Sequence, residues 1–87
     1  MYLIMTRFII NDWNDESAWT DYGGQARTFL DVRLKAACPS LRPTLRKQLS
    51  RAILKRESMS FDLEDPKYID GIKWFLESVG ANVTIAL

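Results

Sequence analysis

The apolar side chains of this 87-residue chain fall into blocks of two periods, and the periods separate strands from helices. Leu41, Leu45, Leu49 and Ile53 recur every four residues with Ala52 beside them, which predicts an amphipathic helix over Leu41 to Arg56. Pro43 suits its first turn. Tyr2 to Ile10 is apolar on both alternating sets apart from Thr6 and Arg7, the pattern of a central strand. Met59, Phe61 and Leu63 alternate with Ser58, Ser60, Asp62 and Glu64, so a second strand has one buried and one wet face. Asp65-Pro66 caps a helix expected to run to about Val79, burying Tyr68, Ile69, Ile72, Phe75, Leu76 and Val79. Gly80 sits where helices end in left-handed geometry, and Val83, Ile85 and Leu87 make the last strand.

Two segments are less direct. Ala26 to Ala37 fits a helix through Ala26, Leu30, Leu34 and Ala37, and a strand through Leu30, Val32, Leu34 and Ala36. Its alanine, arginine, leucine and lysine content favours the helix, which Cys38-Pro39 would end. Asn11 to Gly24 turns polar and acidic around Trp13, Trp19 and Tyr22, and reads as a long acidic aromatic loop. The expected fold is a single two-layer α+β domain in the order β-α-α-β-α-β. A small antiparallel sheet of Tyr2 to Ile10, Met59 to Leu63 and Val83 to Leu87 would carry the helices on one face.

This element order, closing on Phe-Leu-Glu-Ser-Val-Gly-Ala-Asn-Val-Thr-Ile at 75–85, resembles the C-terminal domain of the bacterial ribosomal stalk protein. That fold is shared with the protease adaptor that delivers N-degron substrates. The resemblance is best over residues 57–87. Where the family has Gly-Leu-Gly-Leu before a Lys-rich helix, this chain has Pro39-Ser40-Leu41-Arg42-Pro43, and the adaptor's ligand-binding histidine has no counterpart. The resemblance implies the topology and a protein-binding function.

Composition narrows the chemistry. With 47% hydrophobic and 26% charged residues the chain is an ordinary folding sequence, and 87 residues leave room for one core. The chain has no histidine and one cysteine, Cys38, so it offers no Ser-His-Asp triad, Cys-His pair, histidine ligand, structural zinc site or disulfide framework. Cys38 reads as a small buried hydrophobe. The expectation is a non-enzymatic chain without a cofactor. Asp12, Asp15 and Glu16 lack the glycine and terminal glutamate of a calcium hand. No apolar run is long enough to span a bilayer and no signal peptide pattern is present, so a cytoplasmic location and no membrane partner are expected.

Net charge is +1, but residues 1–31 carry −3, residues 32–56 carry +8 with no acid, and residues 57–87 carry −4. Within the basic stretch Lys47, Arg51 and Lys55 form an i, i+4, i+8 stripe, flanked by Arg46 and Arg56. Projected at about 100° per residue, Trp74 points away from the apolar face of its helix, among Lys67, Asp70, Gly71, Glu77 and Ser78. It is either a docking residue or covered by Trp13 or Trp19. These features predict an adaptor or inhibitor that docks on an acidic protein surface through Arg46, Lys47, Arg51, Lys55, Arg56, Trp74, Trp13 and Trp19. The stripe is otherwise a solvated face. A nucleic-acid-binding protein using the same Lys/Arg helix is the alternative, disfavoured because the aromatics sit mainly in the acidic segment. An open sheet face and an exposed tryptophan would also permit self-association. Small size without catalytic groups suits a phage- or plasmid-encoded regulator.

Overall fold

The computed structural model describes residues 5–14 and 23–86. Strand β1 (Thr6–Trp13) is followed by helices α1 (Gly23–Ala37) and α2 (Pro43–Lys55) and by strand β2 (Met59–Leu63). A 3-10 turn (Pro66–Tyr68) then leads into helix α3 (Ile69–Ser78) and strand β3 (Ala81–Ala86). The strands form one antiparallel sheet in the order β2-β1-β3, with the first strand central. The helices pack on one face of it, so the architecture is the expected two-layer α+β fold.

The inner face of the sheet carries Phe8 and Ile10 from β1, Phe61 and Leu63 from β2, and Ala81 from β3, all buried. Phe8 pairs across the ladder with Phe61, and their rings stack at 5.0 Å between centroids. Against this face lie Leu30 and Leu34 of α1, Leu49, Ala52 and Ile53 of α2, and Ile72, Phe75 and Leu76 of α3. On the other face Arg7 pairs with Asp62 at 3.1 Å, and Asn11 Nδ2 donates to Thr84 Oγ1 at 2.7 Å. The hydrogen bond to Asp62, and then its charge, raise the Arg7 guanidinium above its ordinary pKa.

β1 continues past Ile10, where the polar composition predicted a loop. Ile10 faces Val83 but Asp12 faces Asn82, so Asn11 is one extra residue in β1. This bulge changes the phase of the strand. Trp13 thereby joins Phe8 and Ile10 on the inner face, pairing with Ala81, instead of following Arg7 and Ile9 to the open side. The extra residue is held from both flanks: Ser58 Oγ donates to the Asn11 carbonyl at 2.9 Å, and the Asn11 side chain bonds Thr84. Of the expected 11–24 loop, Asn11 to Trp13 are therefore strand and Gly23-Gly24 open α1, while residues 15–22 lie outside the described residues. β3 begins at Ala81, two residues before the expected Val83, and the expected ends of the outer elements at Tyr2 and Leu87 also lie outside them.

The doubly periodic segment is a helix. Ala26, Leu30 and Leu34 are buried, whereas Val32, which a strand would place with Leu30 and Leu34, is 60% exposed. The last predicted helix starts as the 3-10 turn, capped by the Asp65 carboxylate accepting from the Lys67 amide at 3.0 Å, before becoming α-helical at Ile69. Gly80 closes it at φ 95°.

Candidate functional site

The side chains expected to form one docking surface divide into three places. The first is the helix face itself. Because Leu49, Ala52 and Ile53 commit one side of α2 to the core, Lys47, Arg51 and Lys55 are carried outward, and all three are exposed. Arg51 pairs with Glu57 at 3.2 Å near the helix end. Lys47 and Lys55 enter no ion pair with another described residue.

Toward α1 the helix presents Arg46 and Ser50, one turn apart. Arg46 is largely buried, its side chain 15% exposed, and its Nε donates to Asp31 Oδ1 of α1 at 2.7 Å. Between the two helices is an open cleft of about 740 Å³, with Arg27 and Asp31 on the α1 side and Arg46, Lys47, Ser50 and Arg51 on the α2 side. Ser50 is buried at 2% exposure, and its hydroxyl has no hydrogen-bond partner among the described residues. A buried hydroxyl left unpaired costs about 1–3 kcal/mol, so among the described residues this is an uncompensated polar atom lining a cationic cleft. The composition of the α2 stripe did not point to Arg27 or Ser50. The signal that could have found them is the i, i+4 spacing that puts Arg27 on the same face as Asp31 and Ser50 on the same face as Arg46, on two helices joined by a short turn.

The second place is an internal cluster at the end of the sheet, and it removes Arg56 and Trp13 from the expected docking surface. Arg56 closes α2 in left-handed geometry, φ 55°, and its guanidinium lies 4.7 Å from the Trp13 ring centroid while Nη1 donates to the Val79 carbonyl at 2.9 Å. Trp13 is 8% exposed, and its Nε1 donates to the Glu57 carbonyl at 3.0 Å. The Asn14 amide donates to Gly80 O at 2.7 Å. One cation and one indole thus tie the end of β1 to the α2–β2 and α3–β3 turns.

Trp74, the third, is 71% exposed on α3, beside the Lys73–Glu77 pair at 3.8 Å. Trp13, being internal, does not cover it; Trp19 lies outside the described residues. α1 packs against both α2 and α3, so the basic stripe and Trp74 belong to the same helical layer.

Among the described residues no group of His, Cys, Asp or Glu could hold a metal ion, and no helix is long and apolar enough to cross a membrane. Asp12, one of the acids weighed for a cation, accepts from Asn82 on the open sheet face, while Asp15 and Glu16 lie outside the described residues. Cys38 is fully buried. Compared with protein-family profiles, curated proteins and solved structures, the chain matches none of the three.

Proposed function

We propose that this protein is a small non-enzymatic protein-binding module, an adaptor or inhibitor acting in the cytoplasm, that docks on an acidic protein surface through Lys47, Arg51 and Lys55 of α2 and Trp74 of α3. The observation that carries the reading is Trp74: an indole 71% exposed on a helix whose Ile72, Phe75 and Leu76 are buried contributes little to the core. Tryptophan in that setting is the residue type that dominates protein interfaces. Lys47 and Lys55, without ion-pair partners among the described residues, supply the complementary charge. The likeness of residues 57–87 to the ribosomal stalk domain and the protease adaptor supports the same class of function.

Nucleic acid binding through the Lys/Arg helix is the second reading. It is weaker because base stacking needs aromatic rings beside the cations, and among the described residues none lines the cleft beside α2.

A pull-down from bacterial lysate with nuclease treatment tests the two. Wild type is compared with Trp74→Ala and with a Lys47/Arg51/Lys55→Glu triple reversal. Docking predicts one defined protein that survives nuclease and is lost with both variants. Retained nucleic acid, released steeply by salt, establishes the second reading, and no effect of either variant removes both surfaces from consideration.

A further inference from the structure

We propose that the cleft between α1 and α2 is a binding site for a phosphate monoester group, presented by the protein on which the module docks. The inference rests on the docking reading for its partner, but the chemistry comes from the cleft. Among the described residues the cleft is lined by four cations, Arg27, Arg46, Lys47 and Arg51, and one acid, Asp31; Arg46 engages Asp31 at 2.7 Å and Arg51 pairs with Glu57 at 3.2 Å. Arg27 and Lys47 form no ion pair with another described residue. Among the described residues, Arg27 and Lys47 therefore leave the cleft with surplus positive charge after its internal pairing.

The Ser50 hydroxyl adds an independent constraint. It is buried among the residues that line the cleft and makes no hydrogen bond with another described residue. A cationic ligand would be repelled, and an apolar one would leave both the hydroxyl and the cations unsatisfied. A tetrahedral oxyanion accepts from a hydroxyl, a guanidinium and an ammonium together, and charge-assisted bonds of this kind are the strong ones. The double charge of a phosphate monoester matches the surplus better than a carboxylate does. The cleft, at about 740 Å³, also has room for the side chain that carries the phosphate. A nucleic acid backbone is the poorer fit, because among the described residues no aromatic side chain lines the cleft and the buried hydroxyl addresses one group rather than a repeating track.

The experiment is an NMR titration of the full chain with inorganic phosphate and with phosphoserine, against sodium chloride at matched ionic strength. The signals read are the backbone amides of α1 and α2 and the arginine Nε groups. Expected are saturable shifts centred on Ser50, Arg46 and Arg27, stronger for phosphoserine if the carrying side chain is also held. Ser50→Ala loses no native hydrogen bond and should fold normally, yet bind several-fold more weakly. Arg27→Gln with Lys47→Gln should weaken binding by about tenfold or more.

Shifts no larger than those of chloride at about 20 mM phosphate overturn the site. So does phosphate binding that neither variant changes. A short single-stranded oligonucleotide that binds across Lys47, Arg51 and Lys55 more tightly than phosphoserine, and is indifferent to Ser50→Ala, also overturns it in favour of a polyanion surface. The docking reading fails separately: partner capture unchanged by Trp74→Ala and by the triple reversal refutes docking while leaving the phosphate titration to stand or fall alone.

Discussion

At the scale of single residues, Trp13 and Trp74 show how position outweighs residue type. Trp13 is buried, donates to the Glu57 carbonyl and lies under the Arg56 guanidinium. Trp13→Ala should cost about 3–5 kcal/mol in denaturant unfolding. Trp74→Ala should leave stability within about 0.5 kcal/mol, since its ring faces outward, while abolishing partner capture. Equal losses for the two variants would show that Trp74 is core. The outward direction of Trp74 was legible because α3 is regular and its angular projection held. The fate of Trp13 was not, because one bulged residue before it reversed the alternation that would have placed it outside. Arg56 was read as a docking residue at the end of the basic helix, whereas in left-handed geometry it turns back toward Val79 and Trp13.

Among elements, the helices and strands with a single clear period were placed by the sequence to within a residue or two: α2, β2 and the helical body of α3. The segment with two periods was decided by composition. Of the two intervals read as loop that are regular structure, Gly23-Gly24 opens α1, and Asn11 to Trp13 is polar because Asn11 and Asp12 face the open side of the sheet, where Asp12 pairs with Asn82. Deletion of Asn11 tests the bulge directly. Without it the pairing of Ile10 with Val83 would continue in step, Trp13 would swing to the open face, and its cluster with Arg56 and Glu57 would be lost. The expected outcome is a red-shifted tryptophan emission with a large drop in unfolding free energy, whereas an unchanged spectrum would mean the strand absorbs the deletion elsewhere. Gly71 offers a change in the other direction. It lies inside α3, and an added Cβ would meet only the Ala37 carbonyl at 3.5 Å, an ordinary contact. Gly71→Ala should raise the thermal midpoint, through a gain of about 0.5–1 kcal/mol in helix propensity and reduced unfolded-state freedom.

For the molecule as a whole, the charge segregation visible along the chain is partly cancelled by folding. The basic middle meets its acidic neighbours through Arg46–Asp31, Arg51–Glu57 and the long Arg42–Glu64 contact at 3.9 Å. The side chains of the Arg51–Glu57 and Arg42–Glu64 pairs are more than two-fifths exposed, so each of these pairs contributes only about 0–1 kcal/mol to stability. Salt should therefore act differently on folding and on docking. Raising ionic strength from about 0.05 to about 0.5 M shortens the screening length from roughly 14 Å to roughly 4 Å, which weakens exposed pairs but leaves the core burial of Leu30, Leu49 and Leu76 untouched. The urea midpoint should move little over that range. On the proposed docking, partner association depends on charges left without an ion-pair partner among the described residues, such as Lys47 and Lys55, and should slow and weaken steeply, mainly in its association rate. Surface plasmon resonance across the same salt series separates the two responses. A captured partner whose association rate is flat with salt would mean that docking is carried by Trp74 and apolar contact alone, with the basic stripe serving only as a solvated face.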